Sequence, residues 1–144
     1  LIGLGGEDLL EGGLGDDILR GGADSYTLDG GGGKDLFVYG LGDFGGGAID
    51  QINNFEFGLD AFDLSALLDS AFDPQTDPIA EFVSAQRSGN SVFVFADPDG
   101  LIGEGSQVVL AEILNASPSA TDVTIFYDVG ASISVPITPE GALT

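Results

Sequence analysis

The sequence predicts an all-β protein: a right-handed parallel β-roll, continued and capped by a C-terminal β-rich segment with one short helix. Three observations support this fold class. Seventeen of the 24 glycines precede residue 48, and this stretch repeats itself every nine residues. Apolar residues make up 43% of the chain, which is enough for a core. Asp and Glu number 24 against three Lys and Arg, and the net charge of −21 attracts cations and opposes compaction unless it is neutralised.

Four consecutive blocks of nine residues, without gaps, cover residues 3–11, 12–20, 21–29 and 30–38. The eighth position of each block is apolar: Leu10, Leu19, Leu28 and Phe37. The sixth position is acidic in blocks one, two and four (Asp8, Asp17 and Asp35) and is Tyr26 in block three. A flexible glycine-rich linker has no reason to hold this register, whereas a fixed period is a strong signal of a repetitive fold.

The period has a direct physical interpretation. Each block pairs a six-residue glycine-rich turn with a three-residue strand whose middle residue points inward, and glycine suits turns that a Cβ would penalise. Two blocks make one coil, so the turns of alternate blocks stack on the same edge. Carbonyl and Asp oxygens then face each other across a gap suited to a hard cation such as Ca²⁺.

The blocks follow the pattern G-G-x-G-x-D-x-U-x and resemble the RTX repeats of type I-secreted toxins, proteases and adhesins. The resemblance implies a calcium site between blocks two and four. Its ligands would be the carbonyls and carboxylates of Gly13, Gly15, Asp17, Gly30, Gly32 and Asp35.

Blocks one and three match the family less well. The oxygens available there belong to Leu4, Gly6, Asp8, Gly21 and Ala23. Tyr26 stands where the family has Asp, and Asp24 replaces the fourth-position glycine. Either this second site is weak or empty, or Asp24 supplies the missing charge from a shifted turn.

Residues 40–70 read as a glycine-rich loop, a strand near 49–55, a turn at 58–60 and a strand or helix start at 62–68, with Ser65 capping a short helix. This stretch resembles the C-terminal target region of type I-secreted adhesins, D-x-I-x-D-F-x-x-G-x-D-x-I-D-L-S. The matching residues are Asp50, Ile52, Phe55, Gly58, Asp60, Asp63, Leu64 and Ser65. Asn54 replaces an Asp of that pattern. The acids are either a further calcium site near Asp50 or ordinary turn and cap residues.

Further along, residues 73–80 are predicted to form a loop, and residues 82–87 and 92–95 a hairpin around Ser88-Gly89-Asn90. A turn follows at 97–100, then strands at 107–110 and 123–127. Residues 129–144 are small and apolar, and the resembled family carries its uncleaved export signal there. We therefore divide the chain into a roll, 1–47, and a capping or secretion-target segment, 48–144, within one continuous domain.

Composition removes several classes of function. Without Cys or His the chain has no disulfide or thiol chemistry, no common zinc ligand and no usual general base. Three basic residues cannot form a nucleic-acid or anionic-membrane footprint. No apolar run reaches the length of a membrane span. The chain begins inside a repeat and lacks Met, so we expect a fragment of a longer protein. We expect no catalysis.

The resemblance implies a calcium-dependent folding module at the C-terminus of a type I-secreted bacterial protein, an adhesin, that is secreted or lies at the cell surface. Its expected partners are calcium ions and the type I secretion machinery, with polysaccharide or a cell surface bound through the rest of the protein. Nucleic acid and direct membrane insertion are not expected. Two alternatives remain: a polysaccharide-binding module, or the non-catalytic C-terminal domain of a secreted epimerase, protease or lipase.

Overall fold

A computed structural model describes residues 1–3, 6–40, 43, 49–68, 73, 75–76, 82–96, 108–128 and 131–139. Within these ranges the chain is almost entirely β. The elements are β1 (Leu9–Glu11), β2 (Ile18–Leu19), β3 (Thr27–Asp29), β4 (Leu36–Val38), β5 (Asp50–Asn53), β6 (Ala61–Asp63), α1 (Ser65–Leu68), β7 (Val83–Ser88), β8 (Ser91–Ala96), β9 (Val108–Ile113), β10 (Asp122–Asp128) and β11 (Ala131–Thr138). Across the described residues, no helix has the length and apolar character needed to cross a membrane.

The first four strands form the parallel roll that the nine-residue period predicts, and β5 and β6, from the segment predicted as the cap, continue it. On one face β1, β3 and β5 pair in parallel, and on the other β2, β4 and β6 do the same. The register aligns the eighth-position residues, so that Leu10 lies beside Leu28 and Leu19 beside Phe37. All four of these side chains are buried. Strands β5 and β6 add a third coil beneath the repeats.

The roll continues into a largely antiparallel ribbon that joins its two faces, in which only β7 and β11 of the described strands pair in parallel. Strand β9 adds in parallel to β5, and β10 adds in parallel to β6. Between them, β8 pairs antiparallel with β7 and β9, and β11 bridges β7 and β10. The described strands therefore follow one order, β1-β3-β5-β9-β8-β7-β11-β10-β6-β4-β2. Both outer strands, β1 and β2, lie at the N-terminal end of the roll.

The capping segment differs in two places from the sequence prediction. Strand β11 was not predicted, because Pro136 and a run of small residues gave its sequence no clear strand pattern. Helix α1 begins at Ser65, but Asp63 provides the capping acceptor, since its Oδ1 accepts from the Ser65 amide (3.0 Å) and hydroxyl (2.6 Å). The predicted hairpin is confirmed as β7 and β8. The turn at 97–100 and most of the loop at 73–80 lie outside the described residues.

An aromatic cluster joins the roll to the capping segment. The ring of Phe62 on β6 lies 5.4 Å from Phe55, 6.0 Å from Phe37 and 6.1 Å from Tyr39, measured between centroids. Phe62, Phe37 and Tyr39 are almost completely buried. Because such rings carry large apolar areas, this cluster fixes the third coil against the repeats above it.

Truncating the centre of this cluster is expected to destabilise the fold strongly. Phe62→Ala should lower the free energy of unfolding by about 3–5 kcal/mol, since it removes a buried ring and leaves a cavity. The exposed Leu59, on the adjoining turn, provides the matched control, and Leu59→Ala should change stability by less than about 0.5 kcal/mol. Urea denaturation in excess calcium measures both, and equal losses would contradict the packing described.

Candidate cation site

The turns before β2 and β4 stack directly upon one another. The amide of Gly32 donates to the carbonyl of Gly13, and the amide of Gly15 donates to the carbonyl of Gly32, each at 2.9 Å. Gly31 and Gly33 take positive φ values of 87° and 118°. A Cβ on either would overlap the carbonyl of Gly13 or Gly15, so this close stacking requires glycine at both positions.

A column of aspartates runs down the same edge. The backbone amide of Asp17 donates to Oδ1 of Asp35 (3.0 Å), and the amide of Asp35 donates to Oδ1 of Asp60 (2.9 Å). Asp35 and Asp60 are 2% and 1% exposed. Each carboxylate therefore links its own turn to the turn above, and burial raises the pKa of Asp60.

Two oxygens of this column are buried without a hydrogen-bond partner in the described structure: Oδ2 of Asp17 and Oδ2 of Asp35. They occupy equivalent places in successive coils, because the Asp17 carboxylate lies against Gly12 and the Asp35 carboxylate lies against Gly30. A Cβ built on Gly12 would lie 2.7 Å from both Asp17 Oδ2 and the Gly30 carbonyl oxygen, so these two oxygens converge. Buried carboxylate oxygens without donors are costly unless a cation neutralises them.

The donor set fits calcium. The six predicted ligands, Gly13, Gly15, Asp17, Gly30, Gly32 and Asp35, all belong to these two stacked turns. The turns offer carboxylate and carbonyl oxygens, the ligands of hard cations. Over the described ranges no three acidic side chains gather as a metal-binding group. Of the four carbonyls predicted as ligands, those of Gly13 and Gly32 also accept backbone amides, and that of Gly30 converges on Asp17 Oδ2.

The fold is an RTX-like β-roll. Solved structures that share it include the "C-terminal domain (RV) of MpAFP", with a TM-score of 0.59 and 23% identity over 89% of this chain and 98% of that one. They also include the AlgE6R3 subunit from the Azotobacter vinelandii mannuronan C5-epimerase, with a TM-score of 0.59 and 24% identity over 91% of this chain and 74% of that one. No protein-family model matches the sequence, and no curated protein matches it.

The other edge of the RTX-like roll, before β1 and β3, is built differently. The residues predicted there as ligands and resolved by the structure are Gly6, Asp8, Gly21, Ala23 and Asp24. Leu4 lies outside the described residues. Asp8 is exposed, and Asp24 Oδ2 accepts the Gly6 amide at 3.0 Å. The ring of Tyr26 is buried between the turns, where the other edge has an aspartate.

Asp50 lies one coil below Tyr26 and is 3% exposed. Its Oδ1 accepts the Tyr26 amide (2.9 Å), and its Oδ2 accepts the Tyr39 hydroxyl (2.8 Å). Burial raises the pKa of Asp50 from 3.8 to about 6, against the opposing effect of these two hydrogen bonds. The pKa of Tyr39 is also raised well above its usual value, by burial and by the Asp50 charge. A calcium site at Asp50 remains a prediction. Both oxygens of the Asp50 carboxylate already accept hydrogen bonds from the protein.

Sequence reasoning did not assign two carboxylates that the structure brings into this region. Asp60 terminates the aspartate column, and its position in the target-region pattern was the available signal. Asp29, at the end of β3, has a buried Oδ1 without a partner, while its Oδ2 accepts the side-chain amide of Asn54 at 2.8 Å. Its ninth-position place in the repeat carried no signal, because that position has no common residue type in the four blocks.

The raised pKa of Asp50 predicts a specific pH dependence. The folded chain binds this proton more tightly than the unfolded chain, so the contribution of Asp50 to stability is full below pH 3.8 and is lost as pH rises through about 6. Asp50→Asn removes this titration. Its free energy of unfolding relative to wild type should rise by about 2 kcal/mol between pH 4.5 and 7.5, since one pKa unit corresponds to about 1.4 kcal/mol. Urea denaturation at fixed excess calcium measures this difference, and a difference independent of pH would contradict it.

Proposed function

We propose that this chain is a calcium-dependent folding module at the C-terminus of a type I-secreted protein. The observation that carries the proposal is the pair of buried, unpartnered carboxylate oxygens on Asp17 and Asp35, repeated at equivalent places in stacked glycine-rich turns. The net charge of −21 supports it, because so acidic a chain gains stability from bound cations.

The mechanism couples charge to folding. Where calcium is scarce, the stacked carboxylates repel one another and the glycine-rich turns carry a large conformational entropy, so the open chain is favoured. Bound calcium would supply the positive charge that Asp17, Asp35 and the glycine carbonyls face. A cation that binds only the folded state stabilises it by mass action, so the chain folds when it reaches a calcium-rich exterior.

The setting proposed is a large bacterial adhesin that is secreted or lies at the cell surface. Calcium ions and the type I secretion machinery are its partners, and the open state suits passage through an export channel. The RTX-like repeats and the target-region pattern around Asp50 to Ser65 support this setting. The module itself is proposed to be non-catalytic, with adhesion or chemistry belonging to other parts of the protein.

Calcium titration of the isolated chain tests the proposal. Far-UV circular dichroism in EDTA should show little β signal, and added calcium should restore it cooperatively, whereas magnesium should not, because it demands a smaller octahedral site. A chain that is fully folded in EDTA and indifferent to calcium would overturn the mechanism.

Isosteric variants test whether the calcium response depends on the carboxylates of Asp17 and Asp35. Asp35→Asn keeps an acceptor for the Asp17 amide but removes the charge, and it should raise the calcium midpoint roughly tenfold or more, equivalent to about 1.4 kcal/mol or more. Asp17→Asn should act in the same direction. Asp128→Asn, at the exposed end of β10 in the capping segment, is the matched control and should leave the midpoint within about twofold, as expected for an exposed charge. Equal shifts in all three variants would indicate a general charge effect instead of a site.

A second candidate function is polysaccharide binding, favoured by the similarity to a subunit of a mannuronan C5-epimerase. A cleft of about 400 Å³ between the turn after β5 and the loop before β10 could accept a sugar. The half-buried Phe57 lines it, together with the carboxylates of Glu56 and Asp122 and the hydroxyls of Ser119 and Thr121. Affinity electrophoresis through a gel containing mannuronan, with calcium present, tests it. Retardation that Phe57→Ala removes would support this function, and unchanged migration would exclude mannuronan as its ligand.

A further inference from the structure

An aromatic ring lies between the turns before β1 and β3. Tyr26 occupies the sixth repeat position there and is 3% exposed. Its ring lies against the backbones of Gly3 and Gly21. A Cβ on Gly21 would come within 2.7 Å of the Tyr26 Cδ2 atom, and a Cβ on Gly3 would overlap the other side of the ring. Glycine at these positions therefore accommodates an aromatic ring between the turns.

Asp24 is a second departure on the same edge. The fourth repeat position in the other three blocks is Gly6, Gly15 or Gly33, with positive φ of 88°, 102° and 118°, whereas Asp24 does not adopt a positive φ. Its carboxylate instead reaches the turn above and accepts the Gly6 amide at 3.0 Å. The turn of block three thus has a different backbone path, and the Asp24 carboxylate joins it to the turn of block one by a hydrogen bond.

Asp50 forms the lower end of this edge. It lies below Tyr26 as Asp60 lies below Asp35, and in both cases the carboxylate accepts the amide of the residue above. The second oxygen of Asp50 accepts the buried Tyr39 hydroxyl, and the second oxygen of Asp60 accepts the Glu56 amide, so both oxygens of each third-coil carboxylate have protein donors. Among the described residues, the difference between the edges therefore lies at Tyr26, which stands where the other edge has Asp35 with its unpartnered Oδ2.

We infer that the edge before β1 and β3 takes no cation, because the Tyr26 ring and the Asp24 and Asp50 hydrogen bonds replace it. The roll is thereby one-sided: one edge is held by protein contacts, and the other by calcium. This asymmetry rests on the proposed function for the calcium-binding half. It argues against the alternative that Asp24 supplies a missing ligand, since one Asp24 oxygen already accepts the Gly6 amide and the Tyr26 ring lies between the turns.

Restoring the repeat pattern should create the absent site. The double variant Asp24→Gly/Tyr26→Asp recovers both the fourth-position glycine and the sixth-position carboxylate. After equilibrium dialysis against calcium, it should hold one more ion per chain than wild type. Tyr26→Phe keeps the ring and should hold the wild-type number. A folded double variant with an unchanged count, or an extra ion in Tyr26→Phe, would overturn the inference.

A measurement on the wild-type chain avoids any folding defect of the double variant. Small amounts of Mn²⁺ added to the calcium-bound chain broaden amide resonances near exchangeable cation sites. The amides of Gly13, Gly15 and Gly32 should broaden, and those of Gly21 and Gly22 should stay sharp. Broadening at both edges overturns the inference but leaves the proposed function standing. Broadening at neither edge overturns the proposed function and, with it, the asymmetry.

Discussion

The stacking of acidic turns is the constraint on which the rest of this structure depends. Neighbouring parallel strands lie about 4.8 Å apart, so a nine-residue repeat places identical turn residues almost on top of one another. Asp17, Asp35 and Asp60 are brought into one column in this way, in a chain of net charge −21. One oxygen of each lower carboxylate accepts the amide above. Oδ2 of Asp17 and Oδ2 of Asp35 are buried without donors, and a cation is the natural counterpart for them.

The two turn edges differ in what lies between their stacked turns: the Tyr26 ring on one edge and carboxylate oxygens on the other. The hydrophobic core allows both arrangements. Leu10, Leu19, Leu28 and Phe37 form a ladder that fixes the register of the coils irrespective of what the turns contain. The aromatic cluster around Phe62 then ties the third coil to the antiparallel ribbon that joins the two faces. A turn edge can therefore be filled by Tyr26 or by oxygen ligands without a change in strand pairing.

The sequence predicted most of the roll and less of the cap, for physical reasons. A fixed period identifies strands and inward residues directly, and the buried ladder from Leu10 to Phe37 confirms both. Strand β11 was missed because its pairing with β10 and β7 depends on distant segments and not on a local pattern. The candidate site followed from the repeat. In the sequence, Tyr26 shows only that the sixth-position aspartate is missing. The position of its ring between Gly3 and Gly21, and the hydrogen bond of Asp24 to Gly6, depend on the stacking of turns that are distant in sequence.

The central claim is that the stacked turns before β2 and β4 hold calcium through Asp17 and Asp35. An anomalous difference map from crystals grown in calcium tests it most directly, because it locates the ion without assumptions about folding. The account predicts a calcium peak between these two turns, contacted by oxygens of Asp17 and Asp35, and none beside Tyr26. An absence of any peak between the turns, with the two carboxylates held by protein donors or water, would contradict it.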